Sequence, residues 1–191
     1  MILLALGVLA TSLMHLVAAV PSLKSRVKAG VGERAYGPLF GLASLVGIAI
    51  IVAGWKLSDF VAVYEPPAWG RHANFGFMLA AFLCFGIFLF RGRLRQLLRF
   101  PMGFAVIFWA TGHLLANGDL ASLILFGGFL LYAVAHIVIG IANGVRPSPE
   151  VRGGHDLVSL VMGVALYGVM VQLHGALIGV PVFDVSQWAG G

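Results

Sequence analysis

The chain has 191 residues, of which 60% are hydrophobic and 10% charged, with a mean hydropathy of +1.00. An ordinary soluble domain carries about 25% charged residues, and a chain this short cannot bury so much apolar surface in water, which excludes a soluble globular enzyme and a disordered chain alike. The net charge of +5 comes from 12 Lys and Arg against 7 Asp and Glu, too few charges in all for a nucleic-acid surface, and reads instead as a membrane-orientation signal.

Charge-free runs occupy 1–23, 35–55, 72–90, 100–118, 120–145 and 157–183. A helix needs about 20 residues to cross about 30 Å of hydrocarbon. The runs therefore predict an all-α, polytopic membrane protein: a single six-transmembrane-helix bundle over 1–191, with spans 2–20, 35–55, 72–90, 101–116, 120–143 and 157–179. The first run lacks a positive stretch before its apolar core, so it reads as a helix and not as a cleaved leader. Ser22–Gly32 carries Leu23, Val27 and Val31 at four-residue spacing between Lys24, Arg26 and Lys28, the pattern of a short helix lying in the membrane interface. Glu65-Pro66-Pro67 breaks any helix and marks the longest connection. Pro101 suits the first turn of the fourth span, and Asn117-Gly118-Asp119 a tight turn after it. Gly37/Gly41 and Gly140/Gly144 have the small-xxx-small spacing of close helix packing.

The basic residues alternate with the connections. Lys24, Arg26, Lys28 and Arg34, then Arg91, Arg93, Arg95 and Arg99, then Arg146 and Arg152 make ten of the twelve. Lys56 and Arg71 lie in the other set, with Asp59, Glu65, Asp119 and Asp184. The positive-inside rule then places both termini in the periplasm. The Arg91–Arg99 cluster reads as a lipid-headgroup patch.

No Asp, Glu, Lys or Arg lies inside a span, which argues against a carboxylate proton relay or a voltage sensor. Phosphate loops, Cys-x-x-Cys and His-Glu-x-x-His patterns are absent. The single cysteine, Cys84, excludes an intramolecular disulfide and any multi-cysteine metal site, and at mid-span it reads as packing. Histidine is the exception. His15, His72, His113, His136 and His174 fall in or at the ends of five spans, and His155 at the start of the sixth. Neutral imidazoles on facing helices hold haem iron, and the surrounding Leu, Phe, Ala and Gly suit a porphyrin. Against that, His155 beside Asp156 reads as a solvated interface residue, and His72 and His174 as snorkelling ends. His15, His113 and His136 lie deeper.

Gly32-Glu33-Arg34-Ala35-Tyr36, Leu39-Phe40 and Pro66-Pro67-Ala68-Trp69-Gly70-Arg71-His72 resemble the NnrU family. So does Arg99-Phe100-Pro101-Met102 leading into Trp109-Ala110-Thr111-Gly112-His113-Leu114-Leu115-Ala116-Asn117-Gly118-Asp119-Leu120. The resemblance covers spans one to five and, more loosely, span six. It implies a bacterial inner-membrane protein linked to nitrite and nitric oxide reduction in denitrification. A relative of that family, the plastid 15-cis-zeta-carotene isomerase, carries haem b and isomerises a carotenoid double bond. By resemblance the iron ligands are His15 and His113, with His136 and His72 as further matching histidines. Two departures matter. The family often has histidine where this chain has Phe100, and the relative has a cysteine where this chain has Ala110 and Thr111, so the residue for redox-linked ligand exchange is missing.

Helical rise gives an independent view of the pairing. His15 lies ~20 Å along span one and His113 ~18 Å along span four, which runs the other way. In a core of about 30 Å their levels differ by ~8–10 Å. By depth, His15 matches His136, and His113 matches His174 or His72. Three functions follow as expectations. One is a haem b protein of nitrogen-oxide metabolism, with nitric oxide as a candidate ligand. The second is a haem-dependent cis-trans isomerase of a polyene lipid such as 15-cis-zeta-carotene. The third is a cofactor-free transporter or assembly factor, weakened by the lack of a broken or charged intramembrane helix.

Overall fold

A computed structural model describes residues 1–182; Asp184 lies outside the described residues. Within them the chain is helical: α1 (Ile2–Ala19), α2 (Pro21–Val31), α3 (Glu33–Lys56), α4 (Gly70–Leu89), α5 (Arg93–Leu98), α6 (Pro101–Ala116), α7 (Leu120–Ala142) and α8 (His155–Ile178). The main departure from helix is an isolated β-bridge between Ala62 and Asp119. Helix is the natural state of such runs, because lipid offers no partner for a free N–H or C=O. The helix ends fall within two residues of the spans expected from charge.

The stops have local causes. Val20 is extended and Pro21 opens α2, where its missing N–H costs nothing. Gly32, at φ 89, ends α2 and lets α3 start at once. Arg99, at φ 57, breaks α5 from α6, and its guanidinium Nε–H donates to the Val145 carbonyl at 2.7 Å. Pro101 then opens α6.

Among the described residues, five helices are long and apolar enough to cross a membrane: α1, α3, α4, α7 and α8. The fourth of the six expected spans, α6, has only 16 residues, ~24 Å at the helical rise, because Arg99–Pro101 and Asn117 stop it at both ends.

The principal packing runs in a single row, α3–α1–α7–α6–α4–α8, each helix against its row neighbours. Small residues set the approach, as expected where lipid and side chains are equally apolar. Gly47 and Gly54 of α3 lie against Thr11 and the Leu4 backbone of α1, and Gly7 against Ile50 and Ile51. Gly86 of α4 meets the Ser159 carbonyl of α8, while Gly163 meets the backbone of Phe82 and Leu83. Gly112 of α6 faces Asn74 and Phe77 of α4. The expected Gly37/Gly41 contact is not made: nothing approaches either within 4 Å. As an end helix α3 has one row neighbour, and it meets α1 with the Gly47/Gly54 face. Gly140 packs on the Phe100 ring, but Gly144 sits in a turn at φ 66 with open space beside it.

The two ends are fastened differently. At the basic end, α5 is tied to the 143–156 segment. The Arg91 N–H donates to His155 Nδ1 at 3.2 Å, Leu94 N–H to Asp156 Oδ1 at 2.9 Å and Arg152 N–H to the Arg91 carbonyl at 2.8 Å, with an Arg91–Glu150 ion pair beside them. At the opposite end the 57–69 connection lies across the α6–α7 turn. Val63 and Tyr64 N–H groups both donate to the Gly118 carbonyl, and Leu120 N–H to that of Val61.

Candidate functional site

One helix, α7, organises most of the candidate site. Phe126, Phe129, Tyr132 and His136 recur at spacings of three, three and four, which puts them along one side of a helix. Their rings join those of α1, α3 and α6 into a continuous strip. From one side Phe40 meets His15 at 5.0 Å, His15 meets Tyr132 at 6.0 Å, and Tyr132 meets His136 at 5.7 Å. Tyr132 also meets Phe129 at 6.2 Å, Phe129 meets Trp109 at 5.9 Å, and Trp109 meets His113 at 5.5 Å. Trp55 of α3 reaches Phe126 of α7 at 6.2 Å although α1 stands between their helices in the row. The row is thus curved enough there for side chains of alternate helices to meet on one face.

Phe126 sits inside a π-helical stretch, Leu123–Gly127. Such stretches change which residue faces a neighbour and recur at functional sites. Here the result is a parallel stack: the Phe126 ring lies 4.4 Å from that of His113 at an interplanar angle of 19°. Phe126 also takes the edge of Trp109 at 4.8 Å. The helix start above it is capped by Asp119, which accepts from the Ser122 N–H at 2.9 Å and from its hydroxyl at 2.5 Å. Tyr64 closes this end from the long connection, its phenol donating to the carbonyls of Asn117 (2.7 Å) and Leu114. Burial, and secondarily the Asp119 carboxylate, push the Tyr64 phenol above its ordinary pKa.

The two deep histidines named first share one local device. His15 Nδ1 lies 2.9 Å from the Thr11 carbonyl and His113 Nδ1 lies 2.8 Å from the Trp109 carbonyl, each one turn back on its own helix. A carbonyl can only accept, so Nδ1 carries the proton and Nε2 keeps its lone pair. A backbone partner of this kind is what fixes the tautomer of a metal-ligating imidazole. His174 makes a similar bond to the Val180 carbonyl at 2.6 Å, just past its helix.

The histidines gather unequally. His15 and His136 both make ring contacts with Tyr132, at 6.0 and 5.7 Å. His15 and His113 come from helices that α7 separates, and Tyr132, Phe129 and Trp109 link them. His72 is exposed on the first turn of α4. His155 is a structural acceptor for the Arg91 backbone, with its ring on Phe90 at 5.8 Å. Among the described residues no three His, Cys, Asp or Glu side chains converge as a metal centre. Imidazole pairs are a donor set suited to haem, whose iron takes four ligands from the porphyrin and one or two from protein.

Sequence reading missed several members. Phe126, Phe129 and Tyr132 were visible as a 3-3-4 aromatic series ending on His136. Asn74 was hidden in an apolar run; its Oδ1 is buried without a hydrogen-bond partner, beside Gly112. Thr11 and Ser12 hydroxyls are likewise buried and unpartnered. Thr11 also edges an apolar groove of about 440 Å³ between α1 and α3, walled by Ala10, Met14, Leu42, Val46 and Ile50.

Of the comparisons with known proteins, the family described as NnrU protein matches residues 3–182. No curated protein and no solved structure matches the chain.

Proposed function

The chain belongs to the NnrU family, and on that premise we propose that it is a haem b protein of the bacterial inner membrane serving nitrite and nitric oxide reduction. The observation that carries the reading is the pair of locked tautomers: His15 and His113 each spend Nδ1 on a backbone carbonyl and keep Nε2 free among aromatic side chains. His15 and His113 would supply iron ligands, with His136 beside His15 as the next candidate; His72 stays at the exposed edge. The donor set fits the group, since a bound haem needs one or two neutral imidazoles and apolar walls. Bound haem would supply one-electron chemistry and, where a position is open, a seat for a small gas such as nitric oxide. The chain's own residues orient the imidazoles, exclude water through the Phe126–Trp109–Phe129 rings, and close one end with Tyr64.

Six crossings with both termini periplasmic complete the proposal. Support comes from α6, which packs between the long helices α4 and α7, and from ten arginines and lysines gathered at one end. A 24 Å helix is accommodated by local thinning of the bilayer or by its flanking arginines snorkelling.

The test is an absorption spectrum of detergent-purified protein, oxidised and reduced, with and without nitric oxide. A Soret band that disappears in the His15→Ala/His113→Ala double variant is expected. Wild-type protein without the band, or a double variant that keeps it, removes the proposal. The apolar groove between α1 and α3 favours a second reading, a haem-dependent isomerase of a polyene lipid. It predicts light-independent conversion of a cis-carotene supplied in membranes, read by chromatography; no conversion rules out that substrate.

A further inference from the structure

We propose that the 57–69 connection is itself seated in the membrane interface, at the end of the bundle away from the arginines, where it meets lipid headgroups and the first methylenes of the acyl chains. Only the apolar helices already described are needed for this, and the haem reading is not.

The first reason is a shortfall in length. With 16 residues, α6 spans ~24 Å at the helical rise, against a hydrocarbon core of about 30 Å. The arginines that flank it lie before its start and serve only that end. At the other end the chain supplies a second layer. The Val63 and Tyr64 N–H groups donate to the Gly118 carbonyl at 2.8 and 3.0 Å, Leu120 N–H donates to that of Val61 at 2.8 Å, and Ala62 bridges Asp119. The Tyr64 phenol donates to the Asn117 and Leu114 carbonyls, which are among the last of α6 and point out along its axis. The extended stretch 61–64 therefore lies beyond the end of α6, one strand spacing of about 5 Å from the turn. That layer makes up most of the missing length.

The second reason is what the connection exposes. Phe60 is 81% exposed, Leu57 74% and Trp69 59%, and Val61 and Val63 are exposed beside them. Large apolar side chains gathered on a water-facing loop are what soluble surfaces avoid, whereas aromatic rings favour the membrane interface. The patch also continues the lipid-facing surface: Val52, near the end of α3, is exposed on the helix that runs into Leu57. Asp59 and Glu65 within the stretch, and Lys56 and Arg71 at its two ends, are exposed and reach headgroups. A backbone enters such a layer at least cost when its polar groups are paired, and the turn pairs those of Val61, Val63 and Tyr64. Lipid seating then holds the Tyr64 phenol over the end of the helix that carries His113.

The experiment is electron paramagnetic resonance of the nitroxide-labelled full chain in liposomes of phosphatidylethanolamine and phosphatidylglycerol. The label is attached through Phe60→Cys or Val63→Cys in a Cys84→Ala background, which removes the single natural thiol. Leu131→Cys, exposed at the middle of α7, is the lipid reference. Gly153→Cys, in the basic connection with open space beside it, is the water reference. Expected at Phe60 and Val63 are more collisions with dissolved oxygen than with a water-soluble nickel chelate, as at Leu131, and the reverse order at Gly153. Chelate collisions at Phe60 and Val63 that match those at Gly153 overturn the proposal, and leave the patch as a surface for a protein partner. The native Trp69 gives a second measurement that needs no label. Lipids brominated near the carbonyl end of the chain should quench wild-type fluorescence by a larger fraction than that of Trp69→Phe. Equal quenching of the two also overturns the proposal.

Discussion

At one end of α7, His113 is held by parts that are far apart in the chain. Phe126 stacks on it, Trp109 stands beside it, and Tyr64 ties the carbonyls that follow it to the 57–69 connection. About 15 Å further along α7, His15 and His136 both contact the ring of Tyr132. The first neighbourhood is rigid because hydrogen bonds and a π-helical turn over-determine it. The second is set mainly by packing among α1, α3 and α7, with the His15–Thr11 bond as its one hydrogen-bonded tie.

Four changes test that contrast. Phe126→Ala removes a ring that is 6% exposed and touches His113, Trp109 and Trp55. The expected loss is about 3 kcal/mol, read as a lowered unfolding midpoint in detergent. If His113 is rigid for this reason, hydrogen exchange should rise around it and stay unchanged at His15. Gly118→Ala comes next. Its added Cβ runs into the Tyr64 carbonyl, which is backbone and cannot swing aside, so about 2 kcal/mol is expected. Protease cleavage in 57–69 should appear; an intact connection would mean that the turn is not the clamp.

Asp119→Ala removes the cap on Ser122, which is 1% exposed, and should cost about 1 kcal/mol. An effect confined to the Phe126 end is expected, measured as local exchange in 120–127. Tyr64→Phe is the smallest, about 1 kcal/mol or less, since the phenol sits at an exposed edge. Its pH dependence has a definite sign. The folded phenol is raised above the ordinary value of about 10. Its contribution is therefore fully present below pH ~10 and is lost as pH rises through the folded value. A wild-type minus Tyr64→Phe stability difference that fades between pH 7 and 9 would contradict the assignment.

Much of this could be read from the chain and some could not. The six spans expected from the apolar runs match the helices to within two residues, since charge is costly in lipid and its absence is a local property. The short α2 was likewise visible in the Leu23–Val27–Val31 spacing. The Gly37/Gly41 spacing pointed to a contact that does not form, because spacing says which residues share a face and not what that face meets. The Gly47/Gly54 pair, seven residues apart, makes the contact with α1 instead. The π-turn around Phe126 was hidden for a different reason. A π-turn arises from how a helix accommodates its neighbours, and nothing in Leu-Ile-Leu-Phe-Gly announces it.

Composition, hydropathy and charge placement alone determined that the chain is helical, apolar and basic at one end, and that no Asp, Glu, Lys or Arg lies inside an expected span while several histidines do. These are properties of single residues and their immediate spacing. The order α3–α1–α7–α6–α4–α8, and with it which imidazoles become neighbours, depends on contacts between residues distant in the chain, from Thr11–Gly47 and Asn74–Gly112 to Val8–Gly128. His15 comes to Tyr132, the neighbour of His136, because α1 and α7 fit together through Leu4, Val8 and Ala121 and the close approach of Gly128 to Val8. Packing of that kind is a matter of shape between distant segments, which no local pattern encodes.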